Sequence, residues 1–147
     1  MTAPRPIYVD ANIFIFALED NATYGPACAR LLQGIDAAAF SAVTSELTLA
    51  EVLTKPMNLG RTDLVARFLA AITGSALVVQ PVSRAVLLRS AEIRASHGGR
   101  LADTIHIATA VEAGCAMFVS EDRGIRPPPG LTRISAADCG AATSTHP

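Results

Sequence analysis

The chain has 147 residues, 50% of them apolar and 17% charged, with a formal net charge of −1. This suffices for one globular domain with a sizeable core, not two, and excludes collagenous, coiled-coil and disordered classes. The longest uncharged stretch, residues 68–83, is broken by Gly74 and Pro81, which argues against a membrane span, and residues 1–6 lack the apolar core of a secretory signal, so a cytoplasmic location is expected.

Ile7-Tyr8-Val9 reads as a short strand ending at Asp10, after which Ile13, Phe14, Ala17 and Leu18 recur at helical spacing. A second helix is expected near residues 26–32, followed by a short apolar segment around residues 37–43. Thr44-Ser45-Glu46 supplies hydroxyl caps and an early acid for a helix that carries Leu47, Ala50, Glu51 and Leu53 and stops before Pro56. Residues 61–73 have the pattern of an amphipathic helix, 77–79 that of a buried strand, and 83–97 that of a helix closed by Gly98-Gly99. Residues 101–112 form a further helix with Gly114 as its stop, 117–119 a strand, and 131–134 a last strand after Pro127-Pro128-Pro129. Strands alternating with helices predict an α/β domain with a mostly parallel sheet over residues 1–135. Residues 136–147 are expected to be a flexible tail, frayed from Ala141 onward.

In an open parallel α/β sheet, ligands bind beyond the carboxyl ends of the strands. Asp10 and Asp122 both follow strands at that edge. Glu51 interrupts an apolar helix between Leu49-Ala50 and Val52-Leu53 and needs a partner where it faces inward, and Asp103 stands near the start of a largely apolar helix. Converging carboxylates repel one another. A hard divalent cation such as Mg²⁺ or Mn²⁺, which takes oxygen ligands and keeps waters, would unite them and would support hydrolysis of a phosphodiester without a covalent nucleophile. Each acid also has a purely structural reading: Asp10 or Asp103 as a helix cap, Glu51 as half of an ion pair, Asp122 as a turn former before Gly124.

Four segments occur in order over residues 7–134: Tyr8-Val-Asp-Ala-Asn-Ile-Phe, Leu47-Thr-Leu-Ala-Glu-Val-Leu, Leu101-Ala-Asp-Thr-Ile-His-Ile-Ala-Thr-Ala and Phe118-Val-Ser-Glu-Asp-Arg. In these the chain resembles PIN-domain ribonucleases, specifically VapC-type toxins of toxin–antitoxin pairs. The resemblance implies a three-layer α/β/α fold and a metal-dependent endoribonuclease cutting RNA phosphodiester bonds. It implies that Asp10, Glu51, Asp103 and Asp122 are the catalytic acids holding Mg²⁺ or Mn²⁺, and that Asn12 and Ser120 orient them by hydrogen bonding. It further implies a homodimer and a VapB-type antitoxin whose C-terminal segment covers the acidic site. The last segment departs from the commoner Thr-Asn-Asp of the family, and its Ser120-Glu121-Asp122 makes Glu121 a second claimant to the place of Asp122.

His106 lies one helical step after Asp103, but a histidine among Ile105, Ile107 and Ala108 reads as a hydrogen-bonded core residue rather than a general base. His97 and His146 read as exposed. Cys28, Cys115 and Cys139 are odd in number and form no C-x-x-C pair, so neither a disulfide framework nor a zinc site is indicated. Charge is uneven: residues 52–102 carry +5 and the remainder −6. One reading is a basic surface beside an acidic centre, with Arg84, Arg89, Arg94, Arg100 and Arg123 as candidates for phosphate contact; solvated helix faces are the other. A phosphoacceptor domain or a haloacid-dehalogenase-like phosphatase would use a catalytic lysine, whereas the chain has only Lys55, and position 12 is Asn where the phosphatase has Asp-x-Asp. No glycine-rich phosphate loop of a nucleotide-binding domain is present. A non-catalytic binding module on the same fold is the other alternative.

Overall fold

A computed structural model of the chain describes residues 4–144. Along them run β1 (Ile7–Val9), α1 (Ala11–Leu18), α2 (Gly25–Asp36), β2 (Ala42–Ser45), α3 (Leu47–Asn58), α4 (Thr62–Thr73), β3 (Val78–Gln80), α5 (Arg84–His97), α6 (Leu101–Glu112), β4 (Met117–Val119), β5 (Thr132–Ile134) and α7 (Ala136–Ser144). The strands form one sheet in the order β3-β2-β1-β4-β5, and every pairing is parallel. The order reverses between β1 and β4. There the connections leave in opposite directions and open a crevice above the carboxyl ends of the two strands. Register then fixes what enters it. Val9 lies opposite Val119, so Asp10 and Ser120 emerge side by side, and the Asp10 N–H donates to the Val119 carbonyl at 3.0 Å.

Alternation along the strands divides the core into two layers. Ile7 and Val9 face Phe14, Cys28, Leu31, Phe68 and Ile72 on the side of α1, α2 and α4. Tyr8 and Phe118 face Ile105 and Ala108 of α6 and Val86 and Ile93 of α5. The result is a helix–sheet–helix sandwich. Helix α6 is buried continuously from Thr104 to Ala110, which is why its sequence is apolar on nearly every side.

The structure departs from the sequence expectations in four places. Helix α3 continues through Pro56 to Asn58: the proline falls in the last turn, where one hydrogen bond is lost, and its ring is buried on the same face as Val52. Strand β2 starts later than the apolar segment suggests. Residues 37–40 form a turn with Ala38 at φ 60, and the Phe40 ring lies so close over Gly34 that a Cβ there would stand 2.7 Å from Cε2. Ser45 ends β2 yet still caps, its Oγ accepting the Leu47 N–H at 3.0 Å. Strand β3, expected to be buried, is an edge strand with Val78 48% exposed. Finally, the tail expected from residue 136 is helical over Ala136–Ser144. Its Ala136 and Cys139 lie one helical step apart and are buried in the core against α2, so the domain runs beyond residue 135. The expectation for residues 145–147, His146 included, lies outside the described residues. No helix among the described residues is long and apolar enough to cross a membrane.

Candidate functional site

Asp10 caps α1, its Oδ1 accepting the Ala11 N–H at 2.8 Å, and so fulfils the structural reading of that residue. Its other oxygen serves the crevice. Oδ2 accepts the Ser120 hydroxyl at 2.7 Å and faces Asn12 Nδ2 at 3.4 Å. Burial raises the pKa of this carboxyl, and the His106 charge and the Ser120 hydrogen bond offset only part of that. Ser120 is fully buried and is the hub: its Oγ accepts from Asn12 Nδ2 at 3.0 Å and from the Asp122 N–H at 3.1 Å, while Arg133 holds its carbonyl at 2.6 Å. Asn12 Oδ1 in turn accepts the Glu121 N–H at 3.2 Å. Asn12 and Ser120 thus tie the first turn of α1 to the segment leaving β4.

Glu51 lies at the edge of the buried face of α3, and its partner is His106, whose Nε2 hydrogen-bonds Oε1. His106 is 2% exposed, with Nε2 4.0 Å from Asp10 Oδ1. Its Nδ1 meets the Tyr8 hydroxyl at 2.5 Å. Burial pushes the Tyr8 phenol well above its ordinary pKa, aided by the charge of Asp10. It therefore stays protonated and shares a hydrogen bond with Nδ1, while Nε2 of His106 meets Glu51. Burial opposes a charge on His106, but the Glu51 hydrogen bond and the charges of Asp10, Glu51 and Asp103 outweigh it, and the imidazole pKa is raised.

Asp103 is the third residue of α6, not its cap. Desolvation and then the charge of Asp122 raise its pKa, with Glu51 adding to the effect. Asp122 is exposed, and its Oδ1 accepts the Gly124 N–H at 2.8 Å, so its turn-forming reading holds as well. The four acids therefore act on one another across the crevice: Asp10 with Glu51, Asp103 with Asp122 and Glu51. Among the described residues no three His, Cys, Asp or Glu side chains stand close enough to grip one ion. The acids border an open basin rather than a closed cage.

Glu121 does not join them. Its Oε1 accepts the Ala136 N–H at 2.8 Å, at the start of α7. The chain bends at Glu121 as it leaves β4, so that Ser120 meets Asp10 and the Asp122 charge acts on Asp103 while Glu121 turns to α7. Here the Glu121 side chain is engaged at α7, and its backbone N–H is the group that meets Asn12. Sequence reasoning missed Tyr8, although a hydroxyl in an otherwise apolar strand is a signal, and Arg133, which carries none.

Among the arginines weighed for phosphate contact, Arg89 is engaged by Glu112 at 2.9 Å and Glu92 at 3.3 Å, and Arg94 donates to the Gly99 carbonyl at 3.3 Å. Arg100 lies near the charge of Asp103. Lys55 pairs with Glu19 at 3.5 Å beyond the end of α1, so it does not serve the acids as a phosphoryl-transfer site would require.

The PIN domain family model matches residues 7–129. No curated protein gives a significant match to the chain. Among solved structures, the chain is similar to a toxin–antitoxin complex from Klebsiella pneumoniae, with 19% identity and a TM-score of 0.66 over 85% of this chain and 94% of that one. It is also similar to the sarcin-ricin loop cleaving toxin VapC20 from Mycobacterium tuberculosis, with 16% identity and a TM-score of 0.67 over 81% and 92% of the two chains. A third is VapBC2 from Rickettsia felis, bound to a DNA fragment from its promoter, with 14% identity and a TM-score of 0.64 over 88% and 97%.

Proposed function

The chain belongs to the PIN-domain family, and from that premise we propose that it is a metal-dependent endoribonuclease that hydrolyses RNA phosphodiester bonds as the toxin of a VapBC-type toxin–antitoxin pair. One observation carries the reading. Four stretches far apart in sequence bring Asp10, Glu51, Asp103 and Asp122 to the crevice between β1 and β4, where their charges act on one another. Carboxylates that raise one another's pKa in a partly buried basin gain from a cation.

The donor set fits Mg²⁺ or Mn²⁺. It is wholly carboxylate oxygen, and an open basin suits an ion that keeps several waters and takes only one or two protein carboxylates at a time. Asp10, Glu51, Asp103 and Asp122 would hold it. Bound there, the cation supplies a Lewis acid for the phosphoryl oxygen and for the attacking water. The chain's own residues supply order: Ser120 and Asn12 fix Asp10 by donating to it, and Tyr8 fixes Glu51 through His106. Asp122, exposed and anchored only through its turn, is the acid with most freedom to adjust.

This reading brings a VapB-type antitoxin and a second copy of the chain as protein partners, in the cytoplasm. The similar Klebsiella structure is a toxin–antitoxin complex, and large apolar side chains are left uncovered here, among them Met57, Leu59 and Leu88 at 59%, 61% and 61% exposure.

The test is cleavage of total RNA by the purified chain with Mg²⁺ or Mn²⁺, beside an EDTA control and an identically purified Asp103→Asn variant. Discrete cleavage that is lost in both controls supports the reading. Equal cleavage by variant and unmodified chain overturns it.

A further inference from the structure

We infer that Arg133, on the edge strand β5, is a positioning residue of the nuclease site, acting on Asp10 and Asp122 by clamping the peptide between Ser120 and Glu121; the inference rests on the ribonuclease reading above. Two bonds of the β4–β5 ladder show how its place arises. The Thr132 N–H donates to the Ala116 carbonyl and the Ser120 N–H to the Ile134 carbonyl, each at 3.0 Å. Parallel ladders are evenly spaced, so the next bond in this series would carry the Ala136 N–H to the Ser120 carbonyl. Instead Ala136 opens α7 and gives its N–H to Glu121 Oε1 at 2.8 Å. Arg133 supplies the donor that the ladder lacks. It pairs in register with Phe118, two residues and so about 6.6 Å short of Ser120, and its side chain spans that distance to place Nη1 2.6 Å from the Ser120 carbonyl.

The other end of the same peptide is also held. Its N–H, from Glu121, donates to Asn12 Oδ1 at 3.2 Å. A trans peptide points its N–H and C=O in opposite directions, so Asn12 from α1 and Arg133 from β5 grip one plane from two sides. Ser120 hangs from that plane. Its Oγ gives its one proton to Asp10 Oδ2 at 2.7 Å and accepts from Asn12 Nδ2 at 3.0 Å and from the Asp122 N–H at 3.1 Å, which fills both lone pairs. A hydroxyl with three fixed partners has no spare orientation, and a rotated peptide would break all three contacts together.

Strand pairing does not depend on this arginine. Backbone bonds hold β5 on either side of it, and Leu131, 6% exposed, anchors the strand in the core. Nor does its charge serve an acid: among the described residues Arg133 makes no ion pair. The charges that act on Asp10 and Asp103 belong to His106, Glu51, Asp122 and Arg100. Arg133 therefore reaches the acids through the peptide, as a charge-assisted donor about twice as strong as a neutral one.

The experiment compares Arg133→Met, Arg133→Lys and Leu131→Val in the full chain, at a temperature where urea titrations find all of them folded. Leu131→Val weakens the packing of the same strand and leaves the peptide alone. Mn²⁺ affinity is read by titration calorimetry, and kcat and KM at fixed Mn²⁺ on an RNA that carries a cut site mapped for the unmodified chain. Arg133→Met is expected to raise the Mn²⁺ Kd about tenfold, the lower end for residues that orient metal ligands, and to lower kcat by a similar factor with KM unchanged. Arg133→Lys, which keeps one charged donor, should recover part of both losses, and Leu131→Val should show neither. An Arg133→Met chain with the Mn²⁺ affinity and kcat of Leu131→Val would overturn the clamp and leave the ribonuclease standing. A chain whose Mn²⁺ affinity depends on Arg133 but which never cuts RNA would overturn the ribonuclease reading and support the clamp, and one that neither binds Mn²⁺ nor cuts would overturn both.

Discussion

His106 holds Glu51 through Nε2 because Tyr8 holds His106 through Nδ1. A side chain from the middle of α6 thus steers an acid of α3. These helices pack on different faces of the sheet, Val52 in one core layer and Ile107 in the other, so the pair also pins the two layers together at the mouth of the crevice. Tyr8→Phe removes the hydroxyl and leaves a buried imidazole nitrogen unsatisfied. Stability should fall by about 1–3 kcal/mol in urea titrations, and RNA cleavage should drop at temperatures where the variant is fully folded, because Glu51 is no longer steered. Unchanged cleavage in the folded variant would separate Glu51 from this relay.

Asp103→Asn should abolish cleavage, with a loss of roughly 100-fold or more, without harming the fold. The amide is isosteric, and it ends the repulsion that Asp103 meets from Asp122 and Glu51. Its Tm by scanning calorimetry should therefore equal or exceed that of the unmodified chain. A lower Tm would mean that this carboxylate makes a stabilising contact.

Adjacent acids should divide their effects. Glu121→Ala removes the acceptor of the Ala136 N–H and should cost about 1 kcal/mol, the usual worth of a helix cap, with cleavage kept, since its backbone N–H still reaches Asn12. Asp122→Asn should behave the other way, because an asparagine oxygen can still accept the Gly124 N–H while the charge is gone. Parallel melting and cleavage assays on the two variants decide between them.

Adding Mn²⁺ should raise the Tm of the unmodified chain, and EDTA should reverse the rise. An ion that binds the native state alone contributes about 2.7 kcal/mol at a hundredfold excess over its Kd. Asp10→Asn should flatten this response. Equal metal-induced shifts in the two proteins would show that the ion binds elsewhere.

The three cysteines are buried, and burial pushes the thiols of Cys28 and Cys115 from an ordinary 9.0 up to about 12. Thiol reagents at pH 8 should label the native chain very slowly and the denatured chain at once. Linkage has a definite sign here. Between pH 9 and 12 the unfolded thiols have lost protons that the folded ones keep, so the stability present below pH 9 is lost as pH rises through that window. Denaturant titrations from pH 8 to 11 should show the fall, and its absence would mean that these thiols ionise alike in both states.

Much of this was legible in the sequence because the informative patterns are local. Short apolar runs followed by acids predict both the parallel sheet and the edge on which Asp10 and Asp122 appear, and glycines after α5 and α6 mark helix ends that the structure shares. What escaped depends on long-range packing. Pro56 reads as a stop because propensity counts a lost hydrogen bond and not the burial of its ring. Residues 136–144 read as a tail because their composition is weakly apolar, and only α2 gives Ala136 and Cys139 something to cover. The motif alone favours Asp122 over Glu121, and what the letters do not carry is that the Glu121 carboxylate is taken by the Ala136 N–H.

The hydroxyl of Ser120 and the carboxylate of Asp10 belong to residues 110 positions apart, and β1 lies at the centre of the sheet with β4 as its late partner. A ribosome releases β1, β2 and β3 long before β4 has been made. For most of its synthesis the nascent chain therefore holds Asp10 without the strand that locks it in place, and non-local parallel pairing is slow even once the strand has emerged. On the ribonuclease reading, the site that holds Asp10 is completed only when translation of the domain is nearly finished, so the acids stay unordered until the chain is almost whole.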